Sequence, residues 1–205
     1  MTVTYLADLL DAPSFRRAAE QLSNRTRDAH DFPRLHQLGV VVPDVERAAA
    51  ELEARGIGPF FIASGRPIFW RENGQDGNPR LKLGLAYYQR TEIELLEPAE
   101  GSDFYANSLD PDGRPVVHHL GFLVDDVDAW SEKLKASGTD VYIRGQLKGI
   151  GLTADFAYMR RIEGDDLFME FIRVKLFGVP IRLSAPKVHP IGWLQKRTGK
   201  RCLTV

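Results

Sequence analysis

At 205 residues, with 43% apolar and 27% charged side chains, the chain has room for one sizeable domain or two small coupled ones and can bury a core. That excludes disordered, collagen-like and coiled-coil classes. No apolar run exceeds a few residues, so no helix predicted from the sequence spans a bilayer, and Asp8 and Asp11 stand where a secretory leader needs an apolar core. A net charge of -1 and a single cysteine, Cys202, argue against nucleic acid or membrane as partner and against a disulfide framework; they fit a reducing cytoplasm.

The first predicted element is a helix from Ser14 to about Ala29, where Phe15, Ala18, Ala19 and Leu22 recur at helical spacing among charges. Residues 1–33 therefore read as an N-terminal helical extension. A β-branched run then ends at Val42, and Asp44 follows where its side chain can cap a helix. Val45, Ala49 and Leu52 repeat at helical spacing, and Gly56 supplies a left-handed end. With strand-like stretches at Leu81–Tyr88 and Thr91–Leu96, residues 34–98 form a unit of roughly βαβββ order.

Pro98 to Pro115, rich in Gly, Asp, Ser and Pro, reads as a linker, with residues 99–115 between two units. The second unit repeats the first. His36 to Gly56 returns 82 positions later as His118 to Gly138, with nine identities in 21 positions, too many for composition alone. Its strand ends at Val124, Asp126 is the cap, Val127, Trp130 and Leu134 carry the helical spacing, and Gly138 ends it. Strands are expected at Val141–Arg144, Phe156–Arg160 and Leu167–Val174, giving a second βαβββ unit over 116–175.

In the C-terminal extension, 176–205, Pro180, Pro186 and Pro190 leave room for short elements only, with one helical turn around Gly192 to Arg197. No acidic residue follows Glu170, whereas Arg173, Lys175, Arg182, Lys187, Lys196, Arg197, Lys200 and Arg201 do. This basic tail suits an anionic ligand, a phosphate-bearing cofactor, an acidic face of the same fold, or simply solvent.

The phrases His36-Gln37-Leu38-Gly39, Ile93-Glu94-Leu95-Leu96-Glu97-Pro98, His118-His119-Leu120-Gly121-Phe122-Leu123-Val124-Asp125-Asp126 and Phe168-Met169-Glu170-Phe171-Ile172, with Gly56-Ile57-Gly58-Pro59-Phe60, resemble the vicinal oxygen chelate superfamily. Over residues 34–175 the resemblance is nearest to its glyoxalase I and methylmalonyl-CoA epimerase branch. It implies an α+β fold, two tandem βαβββ units forming a cupped mixed sheet with N- and C-terminal extensions, a homodimer, and one divalent metal ion held by the first and last strands of each unit. Carried over residue by residue, the implied ligands are Gln37, two places before Gly39, and His119, two places before Gly121. His36 is one step out of register and His118 is expected on the opposite face. The last strands contribute Glu94 and Glu170.

Alternation supports the two glutamates physically, since each is flanked by apolar residues that must face the other way; the same pattern is also that of a solvent-facing position. Three oxygen donors and one nitrogen suit Mg, Mn, Co, Ni or Zn. An Fe(II) oxygenase wants two histidines and one carboxylate, which a register using His36 and His119 would restore.

The resemblance further implies proton abstraction next to a chelated carbonyl, with Glu170 as base and Glu94 as its counterpart on the other face. Where relatives that epimerise methylmalonyl-CoA carry an extra carboxylate on the strand before Glu94, this sequence has Tyr87. Phe60, Trp70, Tyr87 and Tyr158 are candidates to line an apolar substrate pocket, with Arg71 as an anion partner. Two functions follow: a metal-dependent isomerase or lyase for an apolar or thioester-bearing small molecule, or a non-catalytic small-molecule binding or resistance protein. An extradiol-type dioxygenase is a third.

Overall fold

The computed structural model describes residues 3–149, 151–161 and 166–205. Two N-terminal helices, α1 (Leu6–Leu10) and α2 (Phe15–His30), precede the first unit: β1 (Gln37–Val41), α3 (Val45–Ala54), β2 (Phe61–Gly65), a hairpin of β3 (Phe69–Glu72) and β4 (Gln75–Asp76), β5 (Leu81–Tyr88) and β6 (Thr91–Leu96). The second unit contains β7 (Val116–Leu123), α4 (Val127–Lys135), β8 (Val141–Lys148), β9 (Leu152–Met159) and β10 (Phe168–Leu176). The chain closes with β11 (Val179–Ile181), α5 (Ala185–Thr198) and β12 (Leu203–Thr204). No helix among the described residues is long and apolar enough to cross a membrane.

The duplicated phrases build equivalent elements. Asp44 accepts a hydrogen bond from the Arg47 amide, and Asp126 from those of Asp128 and Ala129, each capping its helix. Gly56 and Gly138, at φ +80° and +92°, turn the chain out at the other end.

One mixed sheet runs in the order β12-β2-β5-β6-β1-β7-β10-β9-β8-β3-β4, with β11 on β10. The two units meet at its centre, where β1 pairs antiparallel with β7 within the one chain. The chain itself forces the sheet to curl. Along the order, β2 and β3 are eight inter-strand steps apart, roughly 38 Å if the sheet were flat. Only residues 66–68 connect them, a span of about 15 Å at most. The sheet therefore rolls into an open half-barrel.

Its convex face is covered by the helices: Leu38, Val40, Ile93, Leu95, Leu120, Phe122, Met169 and Phe171 pack there with Val45, Ala49, Leu52, Val127 and Leu134. Phe15 and Ala19 of α2 join the same core, at about 1.5–3 kcal/mol for each large side chain removed from water. The opposite, concave face carries a second cluster that includes Leu96, Phe104, Tyr105, Phe156 and Tyr158. The stretch expected as linker thus sends two aromatics into the cup, although its composition signals only turns.

The C-terminal extension departs most from expectation. Instead of one turn, α5 runs for 14 residues. Pro186 falls in the first turn, where no intrahelical N–H is needed, and Pro190 forfeits a single further bond. Docking replaces what is lost. The buried Gln195 side chain accepts from the Ile62 amide (2.9 Å) and donates to the Ile62 carbonyl (2.7 Å), and Gly192 lies so close to the Phe60 backbone that a Cβ would come within 2.5 Å of it.

Part of the tail's basic charge meets an acidic group of the same fold. The side chain of Glu53, 7% exposed, takes Lys196 at 3.1 Å and Arg201 at 3.0 Å and accepts from the Phe60 amide. Burial works against the Glu53 carboxylate, but these donors more than offset it and hold its pKa below the usual 4.5. A carboxyl depressed on folding stabilises above its unfolded pKa and loses that contribution as pH falls through the folded value. Melting curves of wild type and Glu53→Gln should therefore differ most at neutral pH and converge as the pH falls through the lowered folded-state value. Equal melting temperatures at pH 7 would show that the Glu53 ion pairs do not hold the tail.

Candidate metal centre and cavity

Four adjacent strands, β6, β1, β7 and β10, place the candidate side chains in two rows on the concave face. In one row Glu94, Gly39 and His119 are cross-strand partners; in the next, Glu92, Gln37, Gly121 and Glu170 are. Side chains and glycines alternate for a steric reason. The imidazole of His119 lies over Gly39, where a methyl group would overlap the ring, and the Gln37 amide lies over Gly121, whose Cβ would fall 2.5 Å from Gln37 Oε1. The small residue two places after each ligand position leaves room for the ligand of the other unit.

His119 Nε2 stands 3.1 Å from Glu170 Oε2 and 3.4 Å from Glu94 Oε2. The three groups form a cluster of potential metal ligands whose donor atoms all lie within 4.8 Å of one another. His119 Nε2 and Glu170 Oε2 are buried without a hydrogen-bond partner, as is Gln37 Oε1. Two donors each about 2.1 Å from one ion sit roughly 3.0–3.4 Å apart in octahedral or tetrahedral geometry, the spacing seen here. Glu94, His119 and Glu170 therefore have the spacing and chemistry to hold a divalent cation. Without one, burial disfavours charge on His119 but Glu170 and Glu94 outweigh it, pushing its pKa up to about 9. A metal ion bound here would take the place of that proton. Burial, helped by Glu94, raises the Glu170 carboxyl above its ordinary range against the pull of His119.

Two residues that shape the site escaped the sequence reading. Glu92, 3% exposed, accepts from Gln37 Nε2 at 2.9 Å, which fixes the amide and leaves its Oε1 buried without a hydrogen-bond partner. Burial pushes the Glu92 pKa up to about 8, opposed by Tyr87. Its signal was present: two places before Glu94 it must share that face. His118, expected to point away, does not. A β-bulge in the β1–β7 register between Gly39 and Val40 breaks the alternation, and His118 Nδ1 lies 3.1 Å from His119 Nδ1. Burial, reinforced by His119 and Arg161, lowers the His118 pKa, so a neutral His118 holds the His119 ring with Nε2 facing the carboxylates. His36 stays out of the cluster, 3.8 Å from Glu92 and 3.4 Å from the Tyr87 hydroxyl.

The cluster opens into a cavity of about 350 Å³ lined by Gln37, Glu92, Glu94 and Glu170 and otherwise mostly by apolar side chains, together with Ser64, Lys148 and Lys187. Tyr158 lines it, with its ring 5.0 Å from that of His119 and its hydroxyl 3.1 Å from that of Tyr105. The other pocket candidates lie outside its wall. Phe60 is buried in the helix-side core. Trp70 packs on Phe156 behind the lining, and Arg71 is exposed, engaged in two bonds to Asp76. Tyr87, although on the same face of β5 as the lining residues Leu83 and Leu85, sits past the cavity's end beside His36. Composition marked these aromatics; only the curl of the sheet decides which reach the cup.

Comparison with known proteins fits this architecture. The sequence matches the Glyoxalase/Bleomycin resistance protein/Dioxygenase superfamily over residues 36–158, more than half of the chain. No curated protein matches it. Similar solved structures include methylmalonyl-CoA epimerase from Mycobacterium tuberculosis (17% identity, 67% of this chain and 85% of that one, TM-score 0.46). A variant of 4-hydroxymandelate synthase from Streptomyces coelicolor (16%, 80% and 54%, 0.44) and a glyoxalase family protein from Bacillus cereus (17%, 68% and 92%, 0.24) are others. By its sequence match, and with two paired βαβββ units in a curled sheet, the chain belongs to the glyoxalase, bleomycin resistance protein and dioxygenase superfamily, the vicinal oxygen chelate group.

Proposed function

We propose that the protein is a metal-dependent isomerase or lyase that moves an α-proton on a small carbonyl substrate. The observation that carries this reading is the buried cluster of Glu94, His119 and Glu170, whose donor atoms lie within 4.8 Å of one another, beside a cavity that Gln37, Glu94 and Glu170 line. A divalent cation held there supplies a Lewis acid that polarises the substrate's oxygens and acidifies the neighbouring C–H.

The chain's own groups do the rest. Gln37, oriented by Glu92, and His119, oriented by His118, are held in fixed geometry by their hydrogen bonds. Glu170 takes the proton from the α-carbon as the electron pair withdraws onto the carbonyl oxygen. Glu94, on a different strand, serves the opposite side. Return of the proton to the same carbon is epimerisation, and return to its neighbour is the glyoxalase-type outcome.

The test is Mn(II) titration by calorimetry on wild type, His119→Ala and Glu170→Ala, followed by α-proton exchange in deuterated water on acyl thioesters and hemithioacetals. We expect about one ion bound per wild-type chain, affinity at least tenfold lower in both variants, and exchange that disappears with Glu170→Ala. Metal binding unchanged in both variants would overturn the ligand assignment. An apolar ligand held tightly with no ion and no exchange would make the protein a binder.

A further inference from the structure

The segment Leu183–Val205 lies beyond the family match at residues 36–158, yet it is part of the cavity. Leu183, Val188 and Ile191, from α5 and the approach to it, form one wall, and Leu203 and Val205 at the chain's end form another. Its seat is built rather than draped. Gln195 satisfies both backbone groups of Ile62, β12 pairs with β2, and the Val205 amide donates to Ser64 O at 2.9 Å. Val205 thereby lies across the gap of the half-barrel from Gly149, at the turn between β8 and β9, within 3.9 Å of where a Cβ there would be.

The wall so completed is apolar from the carboxylate end outward, with side chains such as Leu83, Leu85, Phe156 and Ile172 facing the C-terminal residues. Beyond the carboxylate end its polar groups are few: the Tyr105 and Tyr158 hydroxyls bond each other, Lys187 Nζ donates to Arg182 O, Lys148 and Lys187 are exposed, and Ser64 contributes one hydroxyl-bearing side chain. The rim is apolar as well: Ile191, Leu203 and Val205 are 43%, 40% and 49% exposed.

We infer that the site takes a substrate with an oxygen-bearing head and a purely apolar body, aliphatic or aromatic, and that Leu183–Val205 is the wall that selects it. The head-group half rests on the function proposed above; the apolar half rests on the wall alone. A body carrying amide, hydroxyl or charged groups would leave them without partners, which disfavours a peptide thiol adduct inside the cavity. At about 30 Å³ for a group the size of water or methylene, the volume admits roughly a dozen such groups.

The experiment uses alkyl hydroxamic acids from acetohydroxamic to octanohydroxamic acid, two-oxygen chelators of graded length, titrated calorimetrically into the full chain with Mn(II) and after chelator treatment. Affinity should rise about fourfold per added methylene and depend on Mn(II). In Ile191→Asp, which changes a partly exposed position and so spares the fold, the ratio of octano- to acetohydroxamate affinity should drop at least tenfold. Mn(II)-dependent binding with no gain in chain length overturns the apolar wall and leaves the metal site standing. A chain-length gain that persists without Mn(II) supports the wall and sinks the metal reading. No binding by any member overturns both.

Discussion

Replacing Gly39 by alanine is expected to destroy metal binding although Gly39 is not itself a ligand. The added methyl overlaps the His119 imidazole, a rigid ring that is fully buried. Either the ring leaves its place beside Glu94 and Glu170 or the β1–β7 pairing opens at the sheet's centre. Overpacking of this kind costs about 3 kcal/mol, a fall of roughly 6–12 °C in Tm for a chain of this size. The Mn(II) Kd should rise by about 100-fold, the upper range for losing the orientation of a ligand. Gly56→Ala is the control: its φ of +80° makes alanine strained, but nothing lies within 4 Å of the new Cβ, so it should cost about 1 kcal/mol and leave Mn(II) affinity unchanged. Gly121→Ala should fall between the two, since the nearest atom it meets is the Gln37 side-chain oxygen. Wild-type Mn(II) affinity in Gly39→Ala would remove His119 from the ligand set.

Gln195→Leu is expected to cost about 2–4 kcal/mol, measured by urea unfolding, with loss of hydrogen-exchange protection at the Ile62 amide. One side-chain amide here does the work of a neighbouring strand: it accepts from Ile62 N and donates to Ile62 O, on the part of β2 that β12, paired only with Ala63 and Ser64, does not reach. Leucine preserves the volume but leaves a donor and an acceptor buried without partners, at about 1–3 kcal/mol each. Gln195→Glu can still accept from the amide but cannot donate, and it sets a carboxylate against the carbonyl; it should be no better than leucine. With α5 loosened, the cavity loses Val188 and Ile191 from its wall, so octanohydroxamate binding should weaken as well. If Gln195→Leu unfolds at the wild-type urea midpoint, α5 is held by its apolar face and the Glu53 ion pairs alone.

Much of this was legible in the residue string because the gene duplication wrote it twice. The 82-residue repeat carried the two strand–helix units, their Asp caps and their terminal glycines, all set by bonds within a few positions. The family resemblance then picked out Gln37, His119, Glu94 and Glu170, and strand alternation supported the two glutamates independently. Where alternation was followed only part way, Glu92 was missed. Where the backbone broke alternation, at the His118 bulge, it misled, because the extra residue is set by the pairing of β7 with β1 across 80 residues of chain.

The short strands β2, β3 and β4 and the long helix α5 were not legible, and neither was the cavity wall. Two prolines in 14 residues of modest amphipathicity argue against a helix, and the contacts that overrule them, Gln195 on Ile62 and Gly192 on Phe60, join positions more than 100 apart. The sequence by itself determined the duplicated strand–helix units and that Glu94 and Glu170 each face away from their apolar neighbours, because strand period, capping and glycine turns are local properties of the chain. Tertiary structure alone decided how tightly the sheet curls, which aromatics reach the cup and that the C-terminal segment closes it. Those outcomes depend on a three-residue bridge between strands at opposite ends of the sheet, and on buried backbone groups that must find partners wherever the fold provides them.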